Sequence, residues 1–315
     1  MVPSSLGNMA YQLWLACGTR PDRFLQGSAS WLMEIKALSE SWSKEVLEYR
    51  RTRMPGPMYI PLAVFLSTAG MLGAERMGVA QQVFTGVVAW TLIFQFRLWD
   101  DLMDLAQDKC EHPDRVLCRA KSLRPFRLLT ALLCGANLVA LGAVDWMVNE
   151  WRRSVLFAVL NVVMFLWYRW RDKTVLSTVG RSHITLIKYP VFVCLLSGLV
   201  TPGGLIPLLL SATLVYLCFG VFELLHNSSV LASPTIDRVL VVEMISFGAV
   251  LLALVYASMP RSGMAVLMQS FLAGAGIVAL AFLFRHRHTL SLGQSRHVFV
   301  IAFISLLGVV FGGIL

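Results

Sequence analysis

Nine apolar stretches, at 58–74, 79–97, 124–144, 152–168, 183–200, 204–225, 238–258, 263–284 and 296–315, take up most of this chain. Each approaches the roughly 20 mostly apolar residues that cross a bilayer as a helix. Strands of a membrane β-barrel would alternate in polarity, and these runs do not. The shorter runs, such as 152–168, fit a bilayer by tilting or by local thinning. Only 14% of the 315 residues are charged, against about 25% in a soluble domain. The expected class is therefore all-α, a polytopic membrane protein with nine transmembrane helices.

A net charge of +9 suggests nucleic acid as a partner until the charges are placed. Counting the N-terminus and the loops after the second, fourth, sixth and eighth runs as one side, that side holds 23 of the 27 Lys and Arg residues. The other side keeps Arg76, Arg152, Arg153 and Arg261. Lys and Arg accumulate in cytoplasmic loops. The N-terminus is thus expected in the cytoplasm and the C-terminus on the opposite side, with the bilayer, not nucleic acid, as the partner of this charge. The six cysteines show no CxxC pair and no Cys/His spacing of a metal site, and read as small apolar residues.

Residues 1–54 read as an N-terminal segment and 55–315 as one intramembrane domain. Tyr11 to Cys17 is a short apolar run without a basic flank, unlike a cleaved signal peptide. Trp31, Ile35, Leu38, Trp42, Val46 and Tyr49 recur at helical spacing with charged residues between them. This stripe describes an amphipathic helix, lying either in the membrane interface or on the protein's own cytoplasmic face. Arg50, Arg51 and Arg53 follow as anchors, and Pro55 and Pro57 around Gly56 break the helix.

The loops at the cytoplasmic side carry the chemistry. Asp100, Asp101, Asp104 and Asp108 crowd the end of the second run. On one continuous helix Asp101, Asp104 and Asp108 share a face, and such like charges repel unless something positive neutralises them. Mg²⁺ prefers carboxylate oxygens and brings phosphates with it. Arg115, Arg119, Lys121 and Arg124 lie just beyond, and Arg and Lys bind phosphate oxygens. Acid and base together suit a metal-bridged diphosphate; a solvated loop at the membrane surface is the plainer alternative.

A second candidate is the end of the sixth run, where Glu223 sits in an apolar helix with His226 and Asn227 one turn on. A charge there needs a partner or a wet cavity, unless it reaches the interface, with Asp237 serving only to cap the seventh run. Between the two candidates, Lys188 stands alone in an apolar run, following His183 and preceding Tyr189 and Pro190. It either snorkels to the surface or reaches a bound diphosphate; Tyr168, Arg171 and Lys173 have the same options.

These residues resemble the UbiA superfamily of intramembrane prenyltransferases over about 50–315. Asp101, Asp104 and Asp108 match its first aspartate motif, Asn-Asp-x-x-Asp-x-x-x-Asp after helix two, and Pro113 to Leu117 resembles the Arg-Pro-Leu stretch that follows. Glu223 and Asn227 fall at the position and spacing of its second, often Asp-x-x-x-Asp after helix six. Asp100 stands where that family often has Asn, Val116 replaces a Pro, and the second motif lacks a pair of carboxylates.

The resemblance implies a nine-helix bundle around a cavity open to the cytoplasm, and Mg²⁺-dependent transfer of a prenyl group from a prenyl diphosphate to a lipophilic or aromatic acceptor. It implies Asp101, Asp104 and Glu223 as catalytic residues, and Asp100, Asp101, Asp104, Asp108, Glu223 and Asn227 around Mg²⁺. Arg115, Arg119, Lys173 and Lys188 would bind the diphosphate. Trp99, Tyr189, Tyr216 and Phe219, with Phe192 and Phe222, would line an aromatic cavity, which shields an allylic cation from water and stabilises it. Members of the superfamily also cyclise prenyl diphosphates into terpenes without an acceptor, which is the second expectation. A cation-coupled transporter is the third.

Overall fold

A computed structural model describes residues 42–72, 78–198, 204–226, 236–257, 263–286 and 296–312. Among these the regular structure is entirely helical. In chain order the helices are α1 (residues 42–53), α2 (Gly56–Met71), α3 (Val79–Met103), α4 (Leu105–Glu111), α5 (Val116–Arg119), α6 (Arg124–Met147), α7 (Arg152–Trp170), α8 (Thr178–Leu186), α9 (Lys188–Leu196), α10 (Leu205–His226), α11 (Ile236–Ala257), α12 (Gly263–Arg285) and α13 (His297–Gly312). Each apolar run falls on a helix. Five helices among the described residues, with α8 and α9 taken as one, are long and apolar enough to cross a membrane. Together with the many large apolar side chains that α3, α6 and α7 turn outward, such as Val83, Leu132 and Val159, they make this an integral membrane protein.

Helix α10 forms the hub of the bundle, with α2, α9, α11 and α13 packed around it, while α3, α6 and α7 stack in sequence on one side. Close approach of α2 and α9 depends on Gly70. A Cβ there would lie 3.0 Å from the Val193 carbonyl oxygen and 3.0 Å from the Leu196 carbonyl carbon, so a small residue is required at that crossing. Between α3, α6 and α7 the apolar interior holds a polar chain. Thr91 donates to Asn137 Oδ1 (2.6 Å), Asn137 Nδ2 to Gln95 Oε1 (2.8 Å) and Gln95 Nε2 to Asn161 Oδ1 (2.8 Å). Asn161 Nδ2 ends the chain on the Phe157 carbonyl at 2.8 Å. Such interhelical bonds contribute about 0.6 kcal/mol each, and they fix which faces of the three helices meet.

Two local breaks set up the candidate site. Pro190 has no N–H for the carbonyl of Leu186, so the fifth run is interrupted at Ile187 and continues as α9 with Lys188 in its first turn. Helix α3 runs past the expected end of its span as far as Met103 and turns at Asp104, where the shorter α4 starts. Asp100 and Asp101 are therefore helical rather than in a loop. The break at Asp104 also removes the continuous face on which Asp101, Asp104 and Asp108 were expected to align.

Helix α1 decides where the end of the amphipathic stripe lies. Tyr49 is 1% exposed and packs on the rings of Phe94 and Phe126, with Trp42 and Val46 half-buried. This part of the stripe covers the protein's own face; Trp31, Ile35 and Leu38 are outside the described residues.

Candidate functional site

The last turns of α3 project Arg97, Asp100 and Asp101 at the end of the bundle, and four other segments close around them. Asp101, 4% exposed, takes both oxygens to Arg53 of α1, from Nε at 2.8 Å and Nη2 at 2.7 Å. It accepts from the Tyr49 hydroxyl at 2.9 Å and pairs with Arg97, one turn back, at 3.2 Å. Asp100 accepts from the Lys188 ammonium of α9 and the Tyr168 hydroxyl of α7. Asp104 pairs with Arg171, in the short 3₁₀ turn after α7, at 2.6 Å. Asp108 of α4 pairs with Arg115 in the loop that follows. These four carboxylates thus meet five cations, and Asp172, 3.4 Å from Arg171 Nε, supplies a fifth carboxylate that balances the charge.

Burial holds the pieces unequally. Lys188 is 2% exposed, whereas the Arg97 side chain keeps 35% of its surface open. The Nε of Arg97 is nonetheless buried without a hydrogen-bond partner, so the array has donor capacity to spare. Outside the spans, two groups show what the crowding does. Burial, aided by the charge of Asp101, pushes the Tyr49 phenol far above its usual range, so it stays a donor. Burial also raises the carboxyl of Asp104; the Arg171 pair opposes this and the charges of Asp100 and Asp101 add to it.

Of the bases expected on a diphosphate, Lys188 and Arg115 belong to this array, each on an aspartate. Arg119 instead pairs with Glu48 of α1 at 2.8 Å on the surface, and Lys173 is exposed. Sequence reading passed over Tyr49, Arg53 and Arg97 as site residues. Arg97 carried a signal, four residues before Asp101 on one helix; Tyr49 and Arg53 carried none, because their contact spans about fifty residues of sequence.

Mg²⁺ would take hard carboxylate oxygens, and the four aspartates supply that chemistry. Their placement does not gather them: among the described residues no three His, Cys, Asp or Glu side chains converge on a point that would hold a metal ion. Each carboxylate is aimed at a base. The residues therefore form no metal centre by themselves.

Next to Lys188 several aromatic side chains converge, Tyr216 not among them. Tyr189 and Phe219 stack at 3.4 Å between centroids, Phe192 meets Tyr189 edge-on at 5.7 Å, and Phe219 and Phe222 both pack on Phe299 of α13. Lys188 Nζ lies 5.4 Å from the centre of the Tyr189 ring. Trp99 packs on Phe96 and Tyr168 and flanks Asp100. Phe299 is an addition to the expected lining.

Glu223 is half-buried on α10, within electrostatic reach of His183 and, with Asp100, of Tyr189. Tyr189 thus stands between the aspartate array and the second candidate. Asn227 lies outside the described residues. Tyr216 sits two turns before Glu223 on α10, hydrogen-bonded to His183 at 3.1 Å. Sequence reading also missed Glu243, a carboxylate in the middle of the apolar α11 that pairs with His183 at 3.0 Å. Its isolation in that run was signal enough.

No protein-family profile and no curated protein matches the chain. A solved structure does, from work on digeranylgeranylglyceryl phosphate synthase in membranes. It is 12% identical, covers 86% of this chain and 99% of its own, and superposes with a TM-score of 0.56. At that identity the likeness establishes the fold alone, and this shared helical membrane fold agrees with the all-helical membrane class expected from the sequence.

Proposed function

We propose that this chain is an intramembrane enzyme that binds a prenyl diphosphate at the end of α3 and transfers the prenyl group to a lipophilic acceptor. The observation that carries the reading is the array itself. Five cations are held by four aspartates at one end of the bundle, with an aromatic wall of Tyr189, Phe192 and Phe219 directly beside them.

The chemistry follows from the residues. Arg97, Arg53, Arg171 and Lys188 exchange part of their carboxylate contacts for diphosphate oxygens, and the charge that grows on the departing diphosphate is stabilised by donors already in place. The aromatic wall receives the allylic carbon, excludes water and presents ring faces to its positive charge. Tyr49 and Tyr168 keep Asp101 and Asp100 oriented while the bases turn away. Mg²⁺ is commonly held by one or two carboxylates together with substrate phosphates. Beside a bound diphosphate, Asp104, the least enclosed carboxylate of the array, would be the residue to hold such an ion, which would supply Lewis-acid stabilisation of the departing charge. The excess of Lys and Arg in the loops at this end supports its lying in the cytoplasm.

The test uses purified full-length protein in lipid nanodiscs, a series of prenyl diphosphates of increasing length, and Mg²⁺ from zero to millimolar, with and without phenolic acceptors. Diphosphate release coupled to a prenylated acceptor is expected. Release with a cyclic hydrocarbon and no acceptor replaces transfer by cyclisation. No release from any member of the series, together with unchanged pyrophosphate binding in Asp101→Asn, overturns the enzyme reading.

A further inference from the structure

Glu243 belongs to no part of the array described so far. A charge within an apolar span is expensive, up to about 2.5–3.5 kcal/mol at a helix centre on insertion scales, and the one cation on α11, Arg238, lies five residues back on a different face. Its partner comes from α8: His183 Nε2 lies 3.0 Å from Glu243 Oε1. The other ring nitrogen of His183, Nδ1, lies 3.1 Å from the hydroxyl of Tyr216 on α10. Three helices thus contribute one residue each to an ordered chain of hydroxyl, imidazole and carboxylate.

The packing around this chain is specific to it. A Cβ at residue 220 would sit 2.7 Å from Glu243 Oε2, so glycine there leaves room for the carboxylate to lie against α10 in this position. Oε2 is buried there without a hydrogen-bond partner, so the carboxylate holds more negative charge than its surroundings satisfy. The charged groups that face the imidazole are Glu243 from α11 and Glu223 from α10. Tyr216, Gly220 and Glu223 follow one another on one face of α10.

We propose that Tyr216, His183 and Glu243 form a proton relay that takes the proton given up by a hydroxyl-bearing acceptor, a phenol or an alcohol. This rests on the prenyl-transfer reading above. The acceptor oxygen forms a bond to the allylic carbon as that carbon's bond to the diphosphate oxygen breaks, and the electron pair leaves with the diphosphate. The acceptor proton moves to the Tyr216 oxygen while the Tyr216 proton moves to His183 Nδ1. The resulting imidazolium is neutralised by Glu243, and His183, whose side chain is 21% exposed, returns the proton to water. The hydrogen-bond pattern assigns the resting ring proton to Nε2, facing Glu243.

The experiment compares Tyr216→Phe and Glu243→Gln with the wild type in nanodiscs, using a phenolic acceptor, binding of inorganic pyrophosphate, and kcat against pH. Both variants should bind pyrophosphate as the wild type does and lose at least tenfold in prenyl transfer. In Glu243→Gln the acid limb of the kcat profile should move to lower pH, because the imidazolium loses its counter-charge. A structural pair would change the melting temperature and leave that limb in place. Tyr216→Phe preserves the ring in a half-buried position and keeps the test open if Glu243→Gln fails to fold. Transfer within twofold of wild type in Tyr216→Phe, or an unmoved acid limb in a folded Glu243→Gln, overturns the relay while leaving prenyl transfer intact. A wild type that releases no diphosphate overturns transfer itself and the relay with it. Cyclisation without an acceptor overturns the proposal that the proton comes from a hydroxyl.

Discussion

The two ends of this bundle each bury an aspartate against an arginine, and they do so in opposite ways. At the turn between α6 and α7, Asp145 is 0% exposed and Arg153 3%. Asp145 accepts from Ser154 N at 2.7 Å and Ser154 Oγ at 2.8 Å as well as from Arg153 Nη1 at 3.3 Å, and Arg153 spends its remaining donors on the Ser197 carbonyl. Asn149, with φ 53°, makes the tight turn that brings these groups together. The Asp145–Arg153 pair is close in sequence, almost fully enclosed and hydrogen-bonded on both sides, with the Ser197 carbonyl after α9 as its one distant partner. At the α3 end the partners come from α1, α3, α4 with its following loop, the turn after α7, and α9. They are long side chains, and one guanidinium N–H is left over. A sealed pair holds a turn; an array assembled from five segments can release its bases to a ligand and take them back.

The sharpest way to break this contrast is at the sealed end. Asp145→Ala strands Arg153 inside the turn, and breaking a buried pair from one side costs on the order of 3–5 kcal/mol. Chemical denaturation in detergent should show that loss, with diphosphate release per folded molecule unchanged. A fall in turnover without a fall in stability would mean that the two ends are coupled and the contrast is wrong.

At the open end the expected effects are reversed in kind. Asp101→Asn leaves Tyr49 and Arg53 in reach of the same oxygen positions, but removes the charge that holds Arg53 and Arg97. Turnover should fall on the order of 100-fold, comparable with removing one preorganised electrostatic group from an active site. Stability should fall by less than in Asp145→Ala, because Arg53 and Arg97 retain access to water. Pyrophosphate binding by calorimetry, measured beside the melting temperature, separates the two. A loss of stability as large as that of Asp145→Ala would place Asp101 with the sealed pair.

A third comparison concerns Lys188 and Asp100. Lys188→Met alone should destabilise by about 2 kcal/mol, since it leaves Asp100 buried against Tyr168 only; the double change with Asp100→Asn should recover most of that, because replacing both charges of a buried pair is often near neutral. Pyrophosphate binding should stay impaired in the double variant. Recovery of binding along with stability would show that the pair serves only the packing of α3 on α9.

How much of this was legible in the sequence differs between the two ends for the same physical reason. Hydropathy placed every apolar run on a helix, because burial in lipid acts on a whole segment and tolerates errors of a few residues at its ends. The aspartates were visible because four like charges within nine residues, at the end of an apolar run, repel one another unless cations gather around them. Their partners were not. Arg53 reaches Asp101 and Arg171 reaches Asp104 only after tertiary packing, and the break at Asp104 that separates the carboxylates has no proline or glycine to announce it. Glu243 was legible and was missed: a lone carboxylate in an apolar run asks for a partner, and His183 was already noted two helices earlier. Asp145 and Arg153, eight residues apart across a turn, read as ordinary loop charges, since nothing in their spacing separates a sealed pair from a solvated one.

The finest test of the open end is a pH dependence. Burial raises the carboxyl of Asp104, and the nearby Asp100 and Asp101 charges add to this against the pull of Arg171. A carboxyl whose folded-state pKa is raised binds its proton more tightly in the folded protein than in the unfolded one. The stability it contributes is present in full below the ordinary carboxylate range and is lost as pH rises through the raised value. Removing the group should therefore flatten that part of the curve. Between about pH 4 and 7, spanning the ordinary carboxylate range, the melting temperature of the wild type minus that of Asp104→Asn should decline as pH increases. The slope should be small, because the Asp104 side chain is 36% exposed and solvent screens its neighbours. A difference that instead grows with pH would mean that Arg171 outweighs burial at Asp104. That carboxylate would then be clamped as firmly as Asp145, and not the one most easily given up to an incoming ligand.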